Sequence, residues 1–373
     1  NVIGKANMVG GLFGEANEAV KIENSYSIGN VSGKNRVGGL AGFARNSNIT
    51  KTYASGDVTG VEEIGGLAGT SHSTGFSQVY ATGEVTATTS TALVGGLIGS
   101  ALGGSAENAY WDTQTTGQSS SADWTGKYNN TGLTTTQIKS LSTFDGMSED
   151  ISAIGGQNTA WRIYEGQSAP LLRGLMSDVT LSEELTRTYD GSTTANLSGV
   201  GLNLEVEGVE LTSGLFASKD AGTDILIEAG YAKTGDENLS TVLQRYDFNF
   251  TGTITPKELT VTGLSVAGRA YNGSDEISLT GDAALSGFIG SETVTISNGT
   301  ATSGTLSSPN AGAQSVATSI SLSDGDEGGL AGNYSVLQPS VSNVIIAKKI
   351  LTGTVTANNK VYDGSTVAIG TTL

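Results

Sequence analysis

One six-residue phrase, returning four times at nearly constant spacing, constrains the fold of this chain more than any other feature. Val9-Gly10-Gly11-Leu12-Phe13-Gly14 comes back as Val37-Gly38-Gly39-Leu40-Ala41-Gly42, as Ile64-Gly65-Gly66-Leu67-Ala68-Gly69 and as Val94-Gly95-Gly96-Leu97-Ile98-Gly99, with starts 28, 27 and 30 residues apart. Between the copies runs a second phrase, Tyr26-Ser27-Ile28-Gly29-Asn30-Val31, repeated from Tyr53 and from Tyr80, 27 residues apart both times. Two independent phrases on one period specify stacked structural repeats. A helical stack is disfavoured, because each glycine of the Gly-Gly pair costs a helix about 1 kcal/mol. Short β-favouring runs such as Ile49-Thr50-Lys51-Thr52-Tyr53 are instead separated by Gly, Asn and Asp turn residues. The expectation is all-β: a right-handed parallel β-solenoid (β-helix) whose coils stack about 4.8 Å apart, with Val/Ile, Leu and Tyr in ladders. The glycine pair marks a sharp turn or a close backbone approach. Coils are expected over 1–104 and a closing or capping region over 105–177.

A longer period begins near residue 178. Thr188-Tyr189-Asp190-Gly191-Ser192 recurs as Ala270-Tyr271-Asn272-Gly273-Ser274 and Val361-Tyr362-Asp363-Gly364-Ser365, at spacings of 82 and 91 residues. Lys219-Asp220-Ala221-Gly222 is echoed by Ser308-Pro309-Asn310-Ala311-Gly312, and alternation in Leu259-Thr260-Val261-Thr262 and Val294-Thr295-Ile296-Ser297 indicates half-buried strands. Tyr-Asp/Asn-Gly reads as a hairpin or tight turn with the glycine at positive φ. Tandem small β modules are therefore expected to follow the solenoid: a first over 178–258, a second over 259–349 and the start of a truncated third over 350–373.

Composition removes several functions. A net charge of −17 argues against non-specific nucleic-acid binding and against docking on an anionic membrane surface. With no cysteine there is no disulfide, thiolate metal site or Cys nucleophile, and the single histidine, His72, excludes an HExxH zinc site. His72 itself is placed in a polar, solvated Ser71-His72-Ser73-Thr74 turn. Absence of cysteine also suits a chain that crosses an oxidising compartment unfolded.

The V/I-G-G-L-x-G phrase resembles the GLUG motif of large bacterial surface proteins, among them filamentous-haemagglutinin-like adhesins. The run from Asn108-Ala109-Tyr110-Trp111-Asp112 to Gln118, then Leu133-Thr134-Thr135-Thr136-Gln137-Ile138, Ser142-Thr143-Phe144, Trp161-Arg162-Ile163-Tyr164-Glu165-Gly166 and Pro170-Leu171-Leu172, is similar to the segment that closes such arrays. The units after residue 178 look like YDG-type or MBG-type modules. Together they resemble the secreted exoproteins of two-partner secretion systems. The resemblance implies a secreted protein of the bacterial cell surface or extracellular matrix, serving attachment, cell–cell cohesion or biofilm. It also implies partners: extracellular polysaccharide or a host or bacterial cell-surface glycan, further copies through homotypic association, and an outer-membrane transporter engaged through regions outside this sequence. The chain is expected to be an internal piece of such a protein. One alternative is a purely structural stalk with the adhesive site elsewhere; a more distant one is a polysaccharide-degrading β-helix enzyme.

Enzymatic chemistry would need clustered carboxylates on one exposed face. Asp57 and Glu84 occupy one place in successive coils, with Asn30 below them, and are read as a polar turn position, so no catalytic residue and no enzyme is expected. Asp324-Gly325-Asp326-Glu327-Gly328-Gly329 offers oxygens and glycines suited to Ca²⁺ but lacks EF-hand spacing, so it is read as a loop; neither metal nor cofactor is expected. All three tryptophans lie between 105 and 170, where the repeat breaks and a loop can build a pocket. Trp124 and Tyr128, and after them Trp111, are the candidate sugar-stacking residues, against a capping role in which the rings close the core. The Tyr26/Tyr53/Tyr80/Tyr110 series is read as stacked packing.

Overall fold

The computed structural model describes residues 1–5, 7–123, 126–297 and 300–367. The chain is predominantly β and divides into two compact units. One comprises Asn1–Thr186, Thr193–Ser218 and Thr223–Thr253; the other comprises Arg187–Ser192, Lys219–Gly222 and the chain from Ile254 onward.

In the first unit the short period becomes three parallel ladders. One pairs Val2–Ile3, Val31–Ser32, Val58–Gly60 and Val85–Ala87, with Val31 opposite Val58 and Val58 opposite Val85. The next pairs Val9–Gly10, Asn35–Gly38, Glu62–Gly65 and Val94–Gly95. The third carries Phe13–Asn17, Ala41–Arg45 and Asn48–Ala54 against the long strands Ala68–Ala81 and Ile98–Asp112, and closes with Tyr128–Leu133. Within the repeats, residues in register sit opposite their own counterparts one period away, as Val37 does opposite Ile64 and Tyr53 opposite Tyr80; only the closing strand from Tyr128 pairs with unlike residues. Like side chains therefore pile into continuous rows. Val9, Val37 and Ile64 form one buried row and Val31, Val58 and Val85 a second packed in the same core, while Leu40, Leu67 and Leu97 stand fully buried in another with Ala41, Ala68 and Ile98. Each such leucine contributes about 1.5–3 kcal/mol by leaving water.

The glycines of the hexad fit three separate close approaches. A Cβ on Gly38 would stand 2.1 Å from the Ala41 carbonyl oxygen, inside the corner that joins two ladders; one on Gly39 would stand 2.2 Å from Gly66 O, one period along the stack; one on Gly42 would stand 2.4 Å from the Val9 nitrogen. The obstacles are backbone, which has no rotamer to yield. Other corners use non-glycine residues in the left-handed region. Asn24, Lys51, Gln78 and Asn108 bend at φ of 48°, 51°, 53° and 50°, and Met8, Arg36 and Glu63 form a second such series. Each bend costs roughly 1–2 kcal/mol, which the stacked ladders around it offset.

The tyrosine series does stack: ring centroids are 5.1 Å apart for Tyr26–Tyr53 and 4.9 Å for Tyr53–Tyr80, and the planes are nearly parallel. Tyr110 leaves the row and meets Phe144 edge-on. The segment from Thr134 to Leu172 covers the tyrosine face. It starts with a short helix, Thr135–Ile138, closed by a Thr134/Gln137 capping box. Trp161, fully buried, lies 6.3 and 6.0 Å from the rings of Tyr53 and Tyr80, and its Nε1 donates to Gln78 Oε1 at 3.2 Å. The Tyr80 hydroxyl donates to Pro170 O, and Lys51 reaches Asp150 at 3.1 Å. Residues 134–172 thus cover the side of the ladders, whereas Trp111 and the strand from Tyr128 lie over the last repeat.

Residues 177–186, 193–218 and 223–253 belong to this unit and join the rest of it through a buried charge cluster. Asp247 receives Arg162 at 3.3 Å and Arg173 at 2.8 Å, and the Tyr164 hydroxyl donates to the Tyr246 carbonyl. Removing either arginine would leave a buried carboxylate poorly compensated, at a cost of several kcal/mol.

The second unit has a different logic. Glu276–Thr280 pairs antiparallel with Ser303–Leu306, which leads through Gly312–Ala317 to Ser340–Ala347. Alternation along these strands buries Ile277, Leu279, Leu306, Val316, Val344 and Ile346 as one core. Lys257–Thr262 pairs with Ala284–Ser286 and, in parallel, with Tyr334–Leu337.

Candidate functional site

The Tyr-Asp/Asn-Gly phrase forms the same turn each time. Asp190, Asn272 and Asp363 accept, through Oδ1, the backbone N–H of Ser192, Ser274 and Ser365 at 2.8, 3.0 and 2.9 Å. The glycine between them sits at φ of 77°, 85° and 74°, a region that disfavours any other residue. A cation two residues before the tyrosine locks each turn. Arg187 donates to Asp190 Oδ1 and Ser192 O, Arg269 to Asn272 Oδ1 and Ser274 O, and Lys360 to Asp363 Oδ1 and Ser365 Oγ. The Arg187 guanidinium holds the Asp190 carboxyl down at about 2.

What the turn presents is its tyrosine, and in the second unit the first copy is covered. Tyr189 is 1% exposed. Its hydroxyl donates to Glu292 at 2.7 and 2.9 Å and accepts from Lys219 Nζ at 3.1 Å. Lys219 also pairs with Glu292 at 3.2 Å, and Tyr334 donates to the same carboxylate at 2.7 Å. The two tyrosine rings meet edge-on at 5.5 Å. Beside them Asn333 bridges the neighbouring loop, accepting from Ala221 N at 2.8 Å and donating to Asp220 Oδ1 at 2.9 Å. Partial burial pushes the Glu292 carboxyl up, but the donors Tyr189, Tyr334 and Lys219 outweigh it and leave the group below its ordinary value. Burial and the same carboxylate raise the Tyr334 hydroxyl to about 12. The cluster is a charge-assisted clamp on one tyrosine.

A sequence profile, that of the YDG domain, matches residues 255–342, the stretch that supplies Glu292, Asn333 and Tyr334. Residues 255–342 form a YDG domain. No curated protein and no solved structure matches the chain. The loop of this YDG domain weighed as a Ca²⁺ site is occupied by its own bonds: Asp324 Oδ1 accepts from Ala331 N at 2.7 Å, and Gly325 N donates to Gly329 O at 2.9 Å. Among the described residues no group of three or more His, Asp or Glu is placed to hold a metal ion.

The residues expected to stack on sugar lie elsewhere in the chain. Trp124 falls outside the described residues. The open ring faces expected of Tyr128 and Trp111 are not present. Tyr128 is buried, donating its hydroxyl to Gly103 O at 2.7 Å with Ser71 Oγ 3.0 Å away. Trp111 is buried against Gly96, in the place the next repeat would fill, and its Nε1 donates to Gln118 O at 2.8 Å. Both rings complete the end of the ladders because Gly96 leaves a hollow that an indole fills. His72 is half-buried in the strand Ala68–Ala81 rather than solvated in a turn, since its register continues between Arg45 and Leu102. The Asn30–Asp57–Glu84 column is spent on backbone: Asn30 Oδ1 accepts from Asp57 N at 3.1 Å, and Asp57 Oδ1 from Glu84 N at 3.0 Å.

Residues outside the Tyr-Asp/Asn-Gly phrase hold both the turns and the clamp. Arg187, Arg269 and Lys360 recur at the repeat spacing, two before each tyrosine, and were legible there. Glu292 has no such signal, because its partners lie 103 and 73 residues away.

Proposed function

We propose that this chain is a spacer segment of a secreted bacterial surface adhesin, a right-handed parallel β-solenoid of GLUG type followed by tandem YDG-type modules, of which 178–258 is the first. In this reading the chain is not an enzyme. Attachment to polysaccharide or glycan, or cohesion between cells, is the activity of the adhesin, and this segment holds and displays it outside the cell. One observation carries the reading: in the ladders and in the first Tyr-Asp-Gly turn the recurring residues are consumed by packing. The tyrosines at 53 and 80 are stacked and covered, Gly38, Gly39, Gly42 and Gly65 face backbone, and Tyr189 is clamped.

The test uses the intact chain on an array of bacterial exopolysaccharides and host glycans, alongside limited trypsin digestion. A spacer resists trypsin despite its 19 Lys and Arg and gives no saturable glycan signal. Saturable binding would overturn the spacer role and assign the adhesive site to this chain. Rapid digestion within residues 20–110 would overturn the packed-ladder basis of the reading.

A further inference from the structure

The clamp on Tyr189 has an open counterpart. Tyr271, the tyrosine of the second turn, is 39% exposed where Tyr189 is 1% exposed. The two phrases hang from equivalent strands: Tyr189 N donates to Thr255 O and Tyr271 N to Ala347 O, each at 2.8 Å. Both are locked by the same arginine and Asx bonds. Around Gly191 the space is taken, since an added Cβ would meet Ile289 Cγ2 at 2.9 Å; around Gly273 the nearest atom is the hydroxyl of Tyr271 itself, at 4.0 Å. The neighbouring loop recurs as well. Asn310-Ala311-Gly312 stands where Asp220-Ala221-Gly222 stands in the covered copy, and Asn310 retains the Oδ1 acceptor that Asp220 offers to Asn333.

We propose that the Tyr271 face of the YDG domain is a docking face for a further YDG-type module, which covers it with a glutamate and an Asn-Tyr pair as Glu292 and Asn333–Tyr334 cover Tyr189 and the Asp220 loop. This rests on the tandem-module reading above and names the partner of its open face. An unaltered second copy of the chain is a poor occupant, because its Glu292 is already bound by Tyr189, Tyr334 and Lys219. The open face carries Ala270, Asn272, Pro309 and Asn310 where the covered one has Thr188, Asp190, Lys219 and Asp220; of these, Pro309 in place of Lys219 bears on the incoming carboxylate, which is met by hydroxyl alone. Docking there is correspondingly weaker than at Tyr189, and Pro309→Lys strengthens it.

The experiment repeats residues 258–349 after Lys349 in the intact chain, with Tyr271→Phe in the added copy so that its peptides differ in mass. Hydrogen exchange is followed at 269–275 of the original copy. Exchange there is expected to slow at least about tenfold, the equivalent of ~1.4 kcal/mol, and to return to its starting rate when the added copy carries Glu292→Ala. Unchanged exchange at 269–275, with the added copy's strand 276–280 protected in the peptide that carries the Phe, overturns the proposal. If the added copy does not fold, the native-length chain decides. Thr188→Ala, Asp190→Asn, Lys219→Pro and Asp220→Asn give the covered face the residues of the open one. Residues 187–192 must then stay protected, and exchange there as fast as at 269–275 overturns the proposal. The glycan array reads a different property, so the spacer reading and the docking face fail separately.

Discussion

The ladders of residues 2–133 and the turn that recurs from Tyr189 are both repetition, but they use it differently. In the ladders each residue meets its own counterpart: Val37 lies against Ile64, Tyr53 on Tyr80, and Gly39 under Gly66. A position is constrained by copies of itself, so the period in the sequence names the contacts as well as the fold. In the long repeat, Tyr189 meets Glu292, Lys219 and Tyr334, none of which belongs to its own Tyr-Asp/Asn-Gly phrase. There the recurrence reports only the local turn, built by a cation, an Asx oxygen and a glycine at positive φ. Short-period repetition therefore specifies partners, while long-period repetition specifies parts whose partners must be found in space. Identical parts consequently end in different states, one covered and one open.

The ladder side of this contrast breaks most readily at a corner. Gly65→Val places side-chain atoms where even a Cβ would lie 2.1 Å from Ala68 O, 2.6 Å from Gly99 N and 2.9 Å from Ile98 Cα. All three are backbone held by ladders on both sides, so the expected loss exceeds about 4 kcal/mol in urea unfolding of the intact chain. A loss under about 1 kcal/mol would mean that the ladders are not in register as described.

The clamp is next. Tyr189→Ala removes a buried ring and its hydroxyl, and should cost about 3 kcal/mol in the transition of the unit that contains it. Glu292→Gln keeps the shape but removes the charge that two tyrosines and Lys219 share, for about 1–2 kcal/mol at pH 7. The pH profile separates charge from shape. The Glu292 carboxyl titrates below its ordinary value, so its contribution is present above about pH 4.3 and is lost as pH falls through the folded-state value. The hydroxyls behave in the opposite sense. Tyr334 is raised to about 12, so its contribution persists below about pH 10 and is lost as pH rises toward 12. Wild-type chain should lose stability at both ends; Glu292→Gln should flatten the acid limb and, by removing the carboxylate that helps raise Tyr334, weaken the alkaline one. An unchanged acid limb in that variant would show that the carboxylate is not held as a charge.

How far these features were legible follows from the same contrast. The tyrosine stack, the valine and leucine rows and the corner glycines could be read from spacing, because in a parallel ladder the neighbour is the next copy. The left-handed bends at Asn24, Lys51, Gln78 and Asn108 could not: asparagine tolerates that φ, but Lys51 and Gln78 share it because the stack imposes it. Trp161 was legible as a buried aromatic but not as the residue that lies over Tyr53 and Tyr80, since that contact bridges about a hundred residues. Aromatic content between 105 and 170 was read as a possible sugar platform, yet composition carries no exposure, and both Trp111 and Tyr128 have their polar atoms engaged inside the protein. In the clamp, Tyr189 and the Lys219 loop stood out as repeated phrases, whereas the carboxylate that joins them did not.

The smaller effects decide how the clamp divides its labour. Lys219 is 41% exposed, so its pair with Glu292 is screened, and Lys219→Met should cost only about 0–1 kcal/mol and less in high salt. A larger, salt-independent loss would make the ammonium a structural donor to Tyr189 rather than a partner of the carboxylate.

The same truncation applied to both tyrosines gives the smallest effect and the sharpest comparison. Tyr271→Ala removes a ring that is 39% exposed from a turn that Arg269, Asn272 and Gly273 hold without it. The expected change is within about 0.5 kcal/mol, against about 3 kcal/mol for Tyr189→Ala in an equivalent turn. Because the turns share their bonds, the difference between the two variants measures the cover and not the turn. Near-equal losses would mean that the tyrosine supports its own turn, and the covered copy would then owe nothing to Glu292 and Tyr334. A wide gap would show that the turn is a rigid mount whose tyrosine gains stability only from whatever module is placed over it.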